Sequence, residues 1–388
     1  MDGKKRFIIL VLLLVLAVSL GLRHFEDPEH RNGMRVLLSA WFPDALRLTQ
    51  NTQEFLADRC IYQATKSSCF IDRKRLDQKI KAGLPDWAMA QIKSDLERFP
   101  KISKANRDKL HQDWDMLLRV QVKDGQAHAT YSNNLNILYA YKDMMDLFQF
   151  LAKNKYIPNT DFFMGLSDYL LPSTPSTLFD QIPIFVFAKD MNDPLERNWV
   201  AVPDWMNLEQ MPKLQARIRK ANQQWPWERK LPILFWRGGN CASTLFRQEL
   251  VALSAKMPER IDAKFPDKAK VPFVKQEDHL RYKYLISIDG ARATWTRLVW
   301  HLQANSLTFK HDSSQMQWYY NAIKPYEHYV PVRDTQALVE ALNWADQNEA
   351  AVRKMVDAST RFVEENLTLE DMYHYFIVLL QEYTKKLD

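Results

Sequence analysis

Apolar and polar positions divide this chain into stretches of distinct period. Residues 7–22 (FIILVLLLVLAVSLGL) carry no charge, with Lys4, Lys5 and Arg6 before them and Arg23 after. A run of this kind inserts into a membrane. It falls a little short of the roughly 20 apolar residues that span a bilayer, but flanking Lys and Arg can snorkel to extend its reach. An anchor helix over residues 1–25 is the expectation. A cleaved signal peptide competes with it, because Ala17-Val18-Ser19 offers small residues at a cleavage-like spacing. The basic N-terminus favours an N-inside orientation.

After a polar stretch from His24 to Gly33, residues 35–120 place Leu, Trp and Phe three and four positions apart among charges, the period of amphipathic helices. Residues 116–131 change to alternation about Asp124-Gly125, which predicts a hairpin. YAYKDMMDLFQFLAKN then predicts a helix. Beyond it, short apolar runs alternate with helical ones: FFMGL (162–166), IPIFVFA (182–188), PILFW (232–236), YLISI (284–288) and SLTF (306–309). That alternation implies an α/β chain whose parallel sheets are covered on both faces. Residues 190–230, richer in Pro, Asn and Trp, are expected to form the crossing between two domains.

Composition narrows the class. With 388 residues, 46% hydrophobic and 26% charged, the chain is globular and long enough for two domains. The net charge of +6 is spread without a basic block, so nucleic acid is not implied, whereas an anionic ligand or membrane surface is allowed. Cys60, Cys69 and Cys241 are too few for a disulfide scaffold and lack metal spacing. A Cys60–Cys69 bridge is feasible in an oxidising compartment; buried free thiols are the equal alternative. Asn366-Leu367-Thr368 has the pattern of a glycosylation sequon, which matters only in a secretory lumen.

In doubly wound sheets, ligands bind beyond the strand ends. The distinctive ends here are Ser167-Asp168 after FFMGL, Arg237-Gly238-Gly239-Asn240 after PILFW, Asp289-Gly290 after YLISI and Lys310 after SLTF. Gly238 and Gly239 would let backbone amides approach a phosphate ahead of a helix, with Arg237 and Arg247 supplying charge. An ordinary turn with Arg247 in a surface ion pair is the bland alternative. Gly290, Ala291 and Ala293 open a second helix in the same way, where Thr294, Thr296 and Arg297 can bond to an anion and Trp295 can equally pack the core. Asp168 can serve as a general base towards a hydroxyl or merely cap a turn, and Asp289 shares that ambiguity. No HExxH metal motif occurs, and no Ser-His-Asp or Cys-His set can be inferred from spacing.

The block HLRYKYLISIDG, TWTRLVWHLQANSLTFK and KPYEHYVPV, together with FWRGG, LSDYLLP and FVEENLTLEDMYHYFIVLLQEY, resembles glycosyltransferase family 90. That family includes bacterial lipopolysaccharide-modifying transferases, fungal capsule-associated proteins and animal protein O-glucosyltransferases. The resemblance covers roughly residues 80–385. It implies a GT-B architecture of two Rossmann-like domains facing a cleft, and inverting, metal-independent transfer from a UDP-sugar co-substrate. By position it makes Asp168 the catalytic base and assigns donor binding to Arg237, Gly238, Gly239, Ala293, Thr294, Trp295 and Arg297. A looser match adds Pro203, Asp204 and Trp205, with Arg247, Asp289, Gly290 and Lys310 as further donor-side residues. Gly239 and Asn240 depart from the family's usual Ser and Arg, and Gln317 stands where an acidic residue is common.

Four segments follow: an anchor (1–25), an acceptor-side domain (26–195), a nucleotide-sugar-binding Rossmann-like domain (196–365) and a C-terminal helix (366–388) packing back on the acceptor side. The activity expected is transfer onto a hydroxyl of a surface glycan, lipopolysaccharide core or O-chain, at a bacterial inner membrane through residues 7–22. The few cysteines and the short anchor favour that reading. A luminal type II protein O-glucosyl- or xylosyltransferase of the ER or Golgi is the alternative, and a non-catalytic glycan binder of the same fold is the third.

Overall fold

The computed structural model describes residues 66–113, 117–130, 138–166, 177–239, 245–266 and 271–388. The anchor run, Cys60, Asp168, Asn240 and Cys241 lie outside them. Among the described residues no helix is long and apolar enough to cross a membrane, and Cys69 is an exposed free thiol.

Three helices lead in: α1 (Arg73–Ala82), α2 (Asp86–Glu97) and α3 (Lys104–Asp113). Asp72 caps α1 by accepting from Arg75 N at 3.1 Å, and Gly83, at φ +83°, ends it in a conformation that excludes a side chain. The alternating segment becomes the hairpin β1 (Leu117–Lys123) and β2 (Gln126–Thr130). Asp124 and Gly125 both turn with positive φ, as a two-residue hairpin loop requires. Then follow α4 (Leu138–Lys153), β3 (Thr160–Gly165), β4 (Ile184–Val186), β5 (Lys189–Asp190) and β6 (Val200–Ala201). The first sheet has the order β2-β1-β3-β4-β6, antiparallel at its β2-β1-β3 side and parallel from β3 to β6. It therefore reaches Ala201, past the boundary expected at 195/196.

The Pro- and Trp-rich crossing is a 20-residue helix, α5 (Trp205–Gln224), with Pro212 inside it. Its buried face, Leu208, Met211, Leu214 and Ile218, has the helical period. After it come β7 (Leu231–Arg237), α6 (Leu245–Lys256), β8 (Ile261–Lys264), α7 (Gln276–His279), β9 (Tyr282–Ser287), α8 (Trp295–Gln303), β10 (Leu307–His311), β11 (Gln315–Met316) and β12 (Val330–Val332). Three helices close the chain: α9 (Thr335–Gln347), α10 (Glu349–Asn366) and α11 (Leu369–Thr384). The second sheet has the order β12-β10-β9-β7-β8 and is parallel throughout. Three of the five expected apolar strands, in PILFW, YLISI and SLTF, fall side by side in it as β7, β9 and β10.

The C-terminal helix α11 lies against the first half of the chain. Tyr383 donates to the Asp161 carbonyl at 2.9 Å and Thr384 to Thr160 Oγ1 at 2.8 Å. The sequon is consumed by the turn into this helix. Thr368 is buried and exchanges bonds with Asp371 in a capping box, while the Asn366 amide donates to Phe362 O and accepts from Trp87 Nε1.

Candidate functional site

The second sheet fixes where a ligand crevice opens. From β7 the chain moves outward to β8 and then returns across β7 to form β9, so the winding reverses between β7 and β9. Beyond the carboxyl ends of two strands that part in this way lies the usual ligand crevice. The segments leaving there are Arg237-Gly238-Gly239 and Asp289–Thr294, with Lys310 and His311 closing the neighbouring strand β10.

The carboxyl edge of the first sheet is tied to this edge. Three residues after β4 ends, β5 pairs antiparallel with β11, which follows the end of β10 by four residues. Parallel to β4, β3 ends on the same edge at Gly165. Asp168 lies three residues further on, outside the described residues.

Trp236, in the last positions of β7, is 1% exposed and forms the floor of the β7–β9 edge. The guanidinium carbons of Arg247 on α6 and Arg297 on α8 each lie 5.8 Å from the centroid of its indole, a cation–π distance. Gly238 makes room for the ring: an added Cβ would stand 2.9 Å from Trp236 Cε2. Gly290 does the same for Arg247, whose Nη2 would lie 2.9 Å from a Cβ there. The space these glycines leave, expected to admit a phosphate, is taken by Trp236 and Arg247.

Arg247 spans both loops, donating to Gly239 O at 3.1 Å and Ile288 O at 2.8 Å. Arg297 makes no ion pair among the described residues, and its buried Nη1 has no hydrogen-bond partner. Burial and the charge of Arg247 draw its guanidinium down to about 10, which leaves it protonated at neutral pH. Beside it, burial and the Arg297 charge push the His279 imidazole down to about 3 and His301 well below its ordinary value, so neither adds a proton. A cationic nitrogen enclosed without a partner is costly until an anion meets it.

The other expected donor residues divide. Arg237 is committed elsewhere: Nη1 donates to Trp236 O at 2.9 Å and Asp262 O at 2.8 Å, and Nη2 to the Asp262 carboxylate at 2.8 Å, with only buried Nε left over. Ala293 is buried, and Thr294 at the start of α8 bonds Ser287 Oγ at 2.6 Å. Half-buried Trp295 meets Phe187, just past β4, edge-on at 6.0 Å. Asp289 is buried; burial raises its carboxyl, opposed by Lys310, by a bond from Ser313 and by His311 at 3.9 Å. Lys310 is buried over the Tyr320 ring at 4.5 Å, with its ammonium pulled down by burial.

Asp204, flanked by buried Pro203 and half-buried Trp205, caps α5, accepting from Asn207 N at 2.9 Å and from the Asn207 amide. Burial raises its carboxyl to about 6. The loose assignment of these three to donor contact thus meets a helix cap, committed to backbone.

Trp236, Glu196, Arg292 and Ser313 were not singled out by the sequence. Trp236 had a signal, an aromatic directly before Arg-Gly-Gly at a strand end. The other three act through partners brought close only by the fold. A depression of about 700 Å³ beside the β1–β2 turn, lined by Asp124, Gln149 and Lys153 among others, holds none of the residues expected at the site. We assign the site by the sheet reversal and the arginines rather than by that depression.

Comparison with known proteins agrees with the resemblance. Protein O-glucosyltransferase 2 of Danio rerio is 26% identical over 323 residues, covering 77% of this chain and 62% of that protein. Protein O-glucosyltransferase 1 of Bos taurus is 27% identical over 252 residues, 59% of this chain and 63% of that protein. The matched part is thus less than two thirds of each relative's own length. Among solved structures, Anabaena HepE in complex with UDP aligns with a TM-score of 0.31 at 8% identity, over 54% of this chain and 73% of that one, too slight to argue from. The model of glycosyl transferase family 90 matches residues 85–388, and the chain belongs to that family.

Proposed function

We propose that the chain is a GT-B glycosyltransferase that moves a sugar from a UDP-sugar to an acceptor hydroxyl with inversion and without a metal. The observation that carries this reading is Arg297. It is a charged, half-buried guanidinium whose Nη1 is enclosed without a hydrogen-bond partner, with no carboxylate partner among the described residues, on the first turn of α8 and beside Arg247 at the β7–β9 reversal. An anion of the diphosphate class matches it, and the positive end of α8 adds to the attraction. As the sugar leaves UDP, charge grows on the diphosphate, where Arg297 and Arg247 stabilise it. Asp168, three residues beyond β3, takes the acceptor proton as the hydroxyl attacks the anomeric carbon from the face opposite UDP. Arg237 acts behind this edge, holding β7 to β8 through Asp262.

The curated relatives are named for transfer of glucose to proteins, which favours a protein hydroxyl as acceptor over a lipopolysaccharide sugar. A surface-glycan acceptor at a bacterial membrane is the second reading, favoured by only three cysteines in 388 residues and by the short apolar run at 7–22. The test is transfer from a set of UDP-sugars to folded protein domains and to lipopolysaccharide, with EDTA present and Asp168→Asn as control. Metal-free transfer to one acceptor class, lost in the variant by about 10²–10⁴-fold or more in kcat with donor binding kept, is the expected result. Full activity of Asp168→Asn would remove the base assignment.

A further inference from the structure

Glu196 lies in the short turn between β5 and β6, and Arg292 lies between β9 and α8. They form a two-pronged ion pair, Arg292 Nη1 to Glu196 Oε2 at 2.6 Å and Nη2 to Oε1, with both side chains under one-tenth exposed. The same Oε2 accepts from Asp190 N at 2.8 Å. These contacts close a ring of bonds. Asp190 receives the Gln315 amide at 3.0 Å, and Met191 N donates to Ser314 O at 2.9 Å. Next to Ser314, Ser313 donates to Asp289, and Gly290 N donates to the Arg292 carbonyl at 3.0 Å. The loop from Asp289 to Thr294 is thereby held by Ser313 at one end and by Glu196 at the other.

We infer that Glu196 is a positioning residue: from the β5–β6 turn it fixes the loop that sets the first turn of α8, and with it Arg297, against the donor. The functional half of this inference rests on the donor reading above. Burying two opposite charges is a poor way to gain stability, because an apolar pair of the same volume commonly does as well. What the fork geometry supplies is direction, since both guanidinium nitrogens must face both carboxylate oxygens. Arg292 is three residues before the start of α8, so a change in its direction is passed directly to the helix.

The experiment uses the full chain and Glu196→Gln, which keeps an oxygen for Asp190 N–H and removes the charge facing Arg292; Arg292→Lys is the milder second variant. Hydrogen exchange is followed by mass spectrometry, and UDP binding by calorimetry in EDTA. The expected result is faster exchange confined to residues 289–296, unchanged β7 and α5, and UDP binding weakened by about tenfold or more, as small misplacements of binding groups produce. Unchanged exchange at 289–296 would overturn the inference. So would exchange accelerated across both sheets with a lowered melting temperature, which would make the pair merely structural. Faster local exchange with wild-type UDP affinity would overturn the link to the donor. If the wild-type chain bound no UDP, the donor reading itself would fall, and the exchange pattern alone would decide whether Glu196 holds the loop.

Discussion

Gly238→Ala probes the floor of the site without touching a charge. The new methyl group would stand 2.9 Å from Cε2 and Cη2 of Trp236 and closer still to Cζ2, where ordinary contact begins near 3.4 Å. The indole must therefore retreat by about 1 Å. It has nowhere free to go: Trp236 is 1% exposed, meets Phe265 at 5.7 Å and carries Arg247 and Arg297 on its ring. Overpacking of this kind costs about 1–3 kcal/mol, and the melting temperature of a chain of this size should fall by a few degrees. Because both arginines rest on the ring, the same shift misplaces them, and UDP affinity should fall by about ten- to a hundredfold. Thermal denaturation and calorimetric titration on one sample measure the two effects. A variant with wild-type melting and wild-type UDP affinity would refute the claim that Gly238 is there to seat Trp236 under the arginines.

Thr368→Ala removes the reciprocal cap of α11 and leaves Asp371, paired with Lys79 at 2.5 Å, without its Thr hydroxyl. A stability loss of about 1–2 kcal/mol by denaturant titration is expected, with nucleotide affinity unchanged. Asp143 on α4 is buried, and burial and Glu209 push its carboxyl up to about 7. The folded chain holds this proton while the unfolded chain has lost it, so the contribution is intact below pH 4 and is lost as pH rises to about 7. Asp143→Asn should therefore be more stable than wild type at pH 8, by about 2 kcal/mol after allowance for solvent screening, and indistinguishable from it near pH 4. An unaltered slope of stability against pH would count against the assignment.

Much of this architecture is legible in the sequence where a single local rule governs. Asp124-Gly125 between alternating apolar positions defines the hairpin, and the buried strands β7, β9 and β10 stand out as apolar runs. The entrance and first turn of α8, with Ala293 and Thr294 before it and Arg297 in it, fall where the strand-to-helix pattern puts them. Elements that exist only through tertiary pairing leave no such trace. β5, β6 and β11 are two residues each, and β8 is the unremarkable IDAK. Pro212 and neighbouring Trp and Asn residues obscure α5, whose buried stripe outweighs one missing backbone donor. The roles of Arg237 and of the glycines depend on Asp262, Trp236 and Arg247. Spacing along the chain cannot disclose that a guanidinium is already held by a carboxylate 25 residues away, or that a ring folds back over the glycine two residues on.

The central claim is that the β7–β9 edge receives the diphosphate of a nucleotide sugar on Arg297. It is tested most directly by titrating the full chain, in detergent and EDTA, with UDP and a panel of UDP-, GDP-, CMP- and dTDP-sugars, and repeating the titration with Arg297→Ala. The account predicts metal-free binding selective for UDP and one UDP-sugar, weakened at least about tenfold in the variant, as loss of a charge-assisted contact implies. Folded protein that binds none of these nucleotides, or an Arg297→Ala variant that binds UDP as wild type does, would contradict it.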